Sequence, residues 1–416
     1  MKKTGLHYAW IILVSCFFVY GGSMGLGLNC SGLFNAAISD DLNMSISKFT
    51  FSTVFNGLSA AAALMAVDEI FRKFNIKAVL SISALFYASY LFLRSFCNNL
   101  LEFCLVNVIG GVSSAFLFYV PVPMLINAWF REKNGMALSI ATLSSGVMGA
   151  VMNSVLSGVI ERSGWRTASM VNGAVSALLV IPAVLLFVVK TPREKGLKPY
   201  GYKEEPERKP ITSPGDVDIR EHVNIDFSLK EKRNRLFLSI ILAFIAYLVS
   251  TCTQSMAHYA RVNGLSLTVG ASLATAGMIG NMIGKAATGA LIDKKGALRA
   301  FDCSFAGAAA GFLILAFFPG APVFVLYAGI GIAALSAANN VIAMPVVVGS
   351  FSSGEEYVTF MSRVSVSTMI STALGTYISG ALYDLTGSYL FEYVLYALLT
   401  LLGLMIIHKV MKKPVD

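Results

Sequence analysis

A lysine set inside an apolar run is the most pointed chemical feature of this chain. Lys285 follows Gly284 and precedes Ala286, Ala287, Thr288, Gly289, Ala290, Leu291 and Ile292, before charge resumes at Asp293, Lys294, Lys295 and Arg299. That charged cluster cannot sit in hydrocarbon and marks a membrane surface. On a helix rising about 1.5 Å per residue, Lys285 lies about 12 Å deeper than Asp293, near the midplane of a hydrocarbon core about 30 Å thick. A cation at that depth is a salt-bridge partner, a side chain snorkelling back to the surface, or an attractor for an anionic ligand.

Arg363, about 9 Å inside a later apolar run by the same rise, is a second candidate. A guanidinium there can hold a carboxylate through two parallel hydrogen bonds, or it can tie neighbouring helix ends together. Polar residues at mid-span would orient a bound molecule: Tyr119, Asn339, Asn340, Asn29 and Gln254. Each of these taken alone serves equally as an interhelical hydrogen bond. The apolar runs hold no paired carboxylates, no metal-ligand cluster and no nucleophile beside a base, so no catalytic residue, metal site or cofactor is expected and the chain does not read as an enzyme. No G-x-x-x-x-G-K-[ST] phosphate loop is present, which argues against ATP-driven chemistry. Cys16, Cys30, Cys97, Cys104, Cys252 and Cys303 form no C-x-x-C pair and read as small packing residues.

The elements that position these residues follow from composition. The 416 residues are 56% hydrophobic and 13% charged, against roughly 25% charged in soluble chains. The long apolar runs predict an all-α integral membrane protein, since open strand edges are not tolerated in lipid. Six spans are expected over 8–38, 49–71, 77–96, 100–127, 135–160 and 166–189. A polar, proline-bearing linker follows over 191–235, and six more spans over 236–260, 267–292, 297–318, 322–348, 357–383 and 389–408. The domain reading is therefore a six-helix bundle over 1–190, a cytoplasmic linker over 191–235, and a second bundle over 236–416. Of the 32 Lys and Arg, only Lys48, Arg94, Arg162, Arg166 and Arg261 fall on the side opposite the linker. The positive-inside rule then places both termini and the linker in the cytoplasm. This bias accounts for the net charge of +9 without a nucleic-acid partner; the lipid bilayer is the partner implied.

Six helices, a linker and six more suggest a duplicated transporter body. Gly289-x-x-x-Asp293-Lys294-x-Gly296-x-x-Arg299 resembles the loop motif of the major facilitator superfamily, and it falls where the second half's copy belongs. The resemblance implies twelve transmembrane helices in two pseudo-symmetric bundles. It also implies a gating role for Gly289, Asp293, Lys294, Gly296 and Arg299. The first-half copy departs from the pattern: Asp68 stands where a glycine is expected, Arg72 where the aspartate is expected, and Asn75 where the second glycine is expected. Asp68 and Arg72 remain an i,i+4 pair of opposite charge and are kept as gate candidates on that ground alone. The superfamily's fourth-helix arginine is replaced by Asn107.

Asn127-Ala-Trp129-Phe130 through Lys133, Gly135 and Ala137, then Gly164-Trp165-Arg166, and Gly380 through Tyr383, Asp384, Gly387 and Tyr389, look like the oxalate:formate antiporter and monocarboxylate transporter branch. In that branch a cation at the place of Lys285 binds carboxylate; the branch's further cation on the eleventh helix would fall near Thr368, where none stands. The resemblance thus implies a secondary transporter working by alternating access through a central site. Its cargo would be a small organic anion, most simply a monocarboxylate, moved by anion exchange or proton symport. An efflux transporter for amphipathic compounds and a non-transporting membrane sensor on the same body are the alternatives. A monomer in a bacterial-type plasma membrane is expected.

Overall fold

The computed structural model describes residues 7–202, 228–337, 339, 343–352 and 354–411. Among these residues all regular structure is helical apart from one isolated β-bridge between Phe130 and Tyr200. Eight helices are long and apolar enough on their own to cross a membrane. The order of elements resolves into twelve spans: Asn134–Pro182 bends once and carries two of them, and Ile46–Leu64, the segment 323–349 and Gly354–Thr386 add three more.

The chain divides into two units, one comprising Met1–Ile38 and Phe55–Pro214, the other Ser39–Val54 and Gly215–Asp416. In the first unit the first span runs over Tyr8–Asp41. Its middle, Gly21–Asn29, widens into a π-helical stretch rich in glycine. The glycines permit close packing: a Cβ on Gly25 would stand 3.0 Å from the Ser145 carbonyl oxygen on the fifth span. Ile46–Leu64 forms the second span, Ile76–Phe96 the third and Leu100–Trp129 the fourth. The fourth passes through a π turn at Ala115–Tyr119 before Pro121, whose missing N–H explains the irregularity. Asn134–Pro182 holds the fifth and sixth spans, joined at Gly164 with φ 78° and ψ 165°.

In the second unit the seventh span, Leu229–Val262, breaks at Thr251 into two helices. Leu267–Phe317 carries the eighth and ninth spans, joined at Gly296 with φ 83° and ψ 164°, a conformation open in practice only to glycine. The tenth span begins at Val323–Ala333 and ends in Met344–Gly349, with Pro345 in the first turn of that last helix. Gly354–Thr386 and Leu390–Met411 are the eleventh and twelfth. Segment 39–54 is tied into this unit by Thr53 Oγ1 to Thr376 Oγ1 at 3.1 Å and by the Ser47 N–H donating to Asp384 at 2.8 Å.

The described ends of the polar stretch 191–235 are ordered. Pro192–Lys195 forms a short helix closed by a Thr191–Glu194 capping box, and the Tyr200 N–H donates to the Trp129 carbonyl at 2.8 Å. At the far end a Ser228–Glu231 capping box starts the seventh span, with its helical residues beginning at Leu229.

Candidate functional site

Lys285 sits on the eighth span, where small residues bring that helix close to its neighbours. A Cβ on Gly284 would lie 2.7 Å from the Leu335 carbonyl oxygen, so the eighth span touches the tenth there backbone to backbone. One residue on, the Lys285 side chain is half-buried. Among the described residues its ammonium has no hydrogen-bond or ion-pair partner. A buried charge without a partner is costly, which marks Lys285 as the residue in this unit that most needs an anion.

Arg363 stands on the eleventh span as an exposed side chain, also without a partner among the described residues. The face of the eleventh span beyond it carries Ser367 and Ser371. Their hydroxyls donate to the Ile240 and Phe244 carbonyls of the seventh span at 2.9 and 2.7 Å. These bonds register the two helices below the break at Thr251. Gln254 lies in the first turn after that break, its backbone N–H donating to the Thr251 carbonyl at 2.8 Å.

Asn339 is fully buried and paired to Ser304 of the ninth span. Its Nδ2 lies 2.7 Å from the serine Oγ and its Oδ1 3.1 Å from the same atom. Here the structure shows an interhelical tie, the second of the two roles open to this residue. Asn340, and the side chains of Asp68 and Asp293, lie outside the described residues. In the first unit Asn29 donates from Nδ2 to the Ser145 carbonyl at 2.8 Å, joining the first span to the fifth. Tyr119 closes the π turn of the fourth span, 36% exposed, with its ring 4.7 Å from that of Phe118.

At the loop motif, Lys294, Arg299 and Arg72 are exposed. The charged turn expected before the ninth span is more compact than the sequence suggests: the helix continues through Asp293 and the reversal is made at Gly296. No described atom lies within 4 Å of a Cβ placed on Gly289. The first copy solves the same problem differently. Asn75 takes an extended conformation (φ −64°, ψ 122°) and caps the third span by accepting from the Lys77 N–H at 2.8 Å. A cap there makes the second motif glycine unnecessary.

Two buried ionisable groups were not among the candidates. Arg94, assigned by charge counting to a surface, is 6% exposed inside the first unit. Its guanidinium stacks 3.6 Å from the Phe34 ring centroid and donates from Nε to Ser169 Oγ at 3.3 Å, and Nη2 has no partner. Glu392, in the first turn of the twelfth span, is fully buried. An acid in a first turn reads as a surface residue complementing the helix dipole. The signal that finds it is its company, Tyr389, Tyr393 and Tyr396 in one short stretch.

A twelve-span body in two units, a glycine joint at the second-half loop motif and a half-buried lysine without a partner among the described residues together describe a multi-pass membrane protein. The chain belongs to the Major Facilitator Superfamily, whose family model matches residues 12–273 and 236–415. It is 21% identical over 304 residues to the MFS-type transporter pynF of Aspergillus niger, covering 71% of this chain and 64% of that protein. It is 22% identical over 307 residues to monocarboxylate transporter 12 of Xenopus laevis, covering 71% and 66%. The chain therefore spans less than two thirds of the length of either relative. Among solved structures, the crystal structure of a D-xylose-proton symporter superposes with TM-score 0.71 at 13% identity, over 97% of each chain.

Proposed function

We propose that the protein is a secondary transporter of a small organic anion, in the first instance a monocarboxylate, with Lys285 as its primary anchor. The observation that supports this most directly is the half-buried Lys285 ammonium without a partner among the described residues. A carboxylate supplies the missing charge and hydrogen-bond acceptors together. The similarity to a monocarboxylate transporter points the same way. Arg363, exposed and unpaired among the described residues, is a second contact for the same anion. With one buried anchor instead of two, a single carboxylate fits better than a dicarboxylate. Transport is by alternating access, through anion exchange or proton symport. The chain works as a monomer with both termini on the cytoplasmic side of a plasma membrane.

The test is a thermal-shift screen of purified protein against short monocarboxylates, dicarboxylates, amino acids and hydrophobic cations, run on wild type and Lys285→Ala. Ligand at a hundred times Kd stabilises a folded protein by about 2.7 kcal/mol, which is readily seen. A carboxylate that stabilises wild type and leaves Lys285→Ala unmoved supports the reading, and flux in proteoliposomes follows with that compound. Equal stabilisation of both proteins, or response to cations alone, sinks it and favours efflux of amphipathic compounds. Binding without flux favours a sensor.

A further inference from the structure

Glu392 is a carboxyl removed from water with too few partners. Its Oε2 accepts from the Ser379 hydroxyl of the eleventh span at 2.9 Å, while Oε1 has no partner. The buried hydroxyl of Tyr393 also lacks a partner, and that of Tyr396 approaches both Glu392 and Thr251 without a well-aligned hydrogen bond. Three poorly satisfied oxygens, Glu392 Oε1 and the Tyr393 and Tyr396 hydroxyls, in one short stretch of helix call for an explanation. No Lys, Arg or His pairs with Glu392 among the described residues. The titratable groups around it are Cys252, His258 and Tyr259 from the seventh span, Tyr383 and Asp384 from the eleventh, and Tyr389, Tyr393 and Tyr396 beside it. The ninth span presents the ring of Phe312, stacked on Tyr393 and edge-on to Tyr396.

The internal repeat shows that the fold does not need an acid here. Gly164 and Gly387 are the positive-φ glycines that precede the sixth and twelfth spans. Counting forward equally from each reaches Ser169 in the first unit and Glu392 in the second. Ser169 serves its helix as a hydroxyl that accepts from Arg94. The second unit carries a carboxyl at that count, and among the described residues no cation meets it.

We propose that Glu392 is a proton-binding site, loaded and emptied during the working cycle. A proton on Oε1 removes the buried charge and gives the carboxyl an O–H that can donate as well as accept beside the Tyr396 hydroxyl. Titratable groups lie between the surface and Glu392. Asp384 is exposed and lies near His258, and His258 Nδ1 shares a 2.7 Å hydrogen bond with the Tyr389 hydroxyl, one helical turn before Glu392. Loading forms one O–H bond on Oε1 with a proton drawn from water at the surface that carries Asp384; emptying returns that proton to water. Once ionised, the carboxylate needs solvation that its packed shell lacks. The element able to yield is the seventh span at its Thr251 break, held against Gly375, where an added Cβ would stand 2.7 Å from Thr251 Oγ1. This names the coupling ion of the transport reading and rests on that reading for its role in transport, whereas proton binding itself does not.

The experiment is infrared spectroscopy of the purified protein in lipid over a pH series, with wild type, Glu392→Gln and Ser379→Ala. Gln reproduces the shape of the neutral acid. Wild type is expected to show a protonated-carboxyl C=O band that shifts in D2O and fades as pH rises, and Glu392→Gln is expected to lack it. Ser379→Ala removes a donor that favours the ionised form, so its band should persist to higher pH. A wild-type spectrum with no such band, or a band that does not respond to pH while the protein stays folded, overturns the proposal. So does a titrating band unchanged in Glu392→Gln; where that variant does not fold, an unmoved midpoint in Ser379→Ala does the same. A titrating band alongside a failed anion screen leaves the proton site standing and removes the cargo reading; a missing band with carboxylate binding intact does the reverse.

Discussion

Two glycines of the eighth span make a sharp comparison, because they stand on one helix and differ in what surrounds them. Replacing glycine by alanine inside a helix gains about 0.5–1 kcal/mol from the unfolded chain's lost freedom. At Gly289 no described atom lies within 4 Å of the new methyl, so Gly289→Ala should keep that gain. At Gly284 the methyl arrives 2.7 Å from the Leu335 carbonyl oxygen, 3.0 Å from its Cα and 3.2 Å from its carbonyl carbon. All three are backbone atoms, so no rotamer change relieves the clash and the eighth and tenth spans must separate. Overpacking of this kind costs about 1–3 kcal/mol. The helix contribution cancels between the two variants, so Gly284→Ala should be less stable than Gly289→Ala by about 1–3 kcal/mol. Reversible denaturant unfolding in mild detergent, with both variants measured beside wild type, reads that difference. Equal stability of the two, or a more stable Gly284→Ala, would refute the close approach that sets the position of Lys285.

Ser304→Ala leaves the buried Asn339 amide without its hydroxyl and is expected to cost about 1–3 kcal/mol in the same unfolding assay; no loss would mean that Asn339 is satisfied elsewhere. Gly296→Ala forces a side chain into φ 83°, ψ 164°, with an expected cost of about 1–3 kcal/mol. In the first copy of the loop, Asn75→Ala should cost about 1 kcal/mol and Asn75→Gly only a few tenths, measured as shifts in the unfolding midpoint. If Asn75→Gly proves as damaging as Gly296→Ala, the two loops do not use the different devices described above.

The spans were legible because hydrocarbon imposes a length and a composition that few soluble helices share. The joint at Gly296 was legible as a place and not as a geometry: the charged residues around it suggested a turn, yet the helix runs through Asp293 and reverses at one residue. Periodicity identifies which face of the tenth span Asn339 occupies, but only tertiary packing decides that the residue across from it is Ser304. Arg94 and Glu392 were hidden by their positions near helix ends, where a charge ordinarily meets water. Arg94 is enclosed by Phe34 and Ser169 from distant parts of the chain, whereas Glu392 has Ser379 from the eleventh span and the tyrosines of its own stretch.

The joints at Gly164 and Gly296 have a mechanical meaning. Each reversal is made at a single residue, so the connection has two torsions and almost no spare length. A long loop would absorb the displacement of one span before its neighbour felt it; a one-residue joint transmits it. The fifth and sixth spans, and likewise the eighth and ninth, are therefore coupled through a connection of almost no length. The tenth span meets both arms of the second pair, the eighth at Gly284 against Leu335 and the ninth through the Ser304–Asn339 tie, so a movement of either arm must be accommodated there.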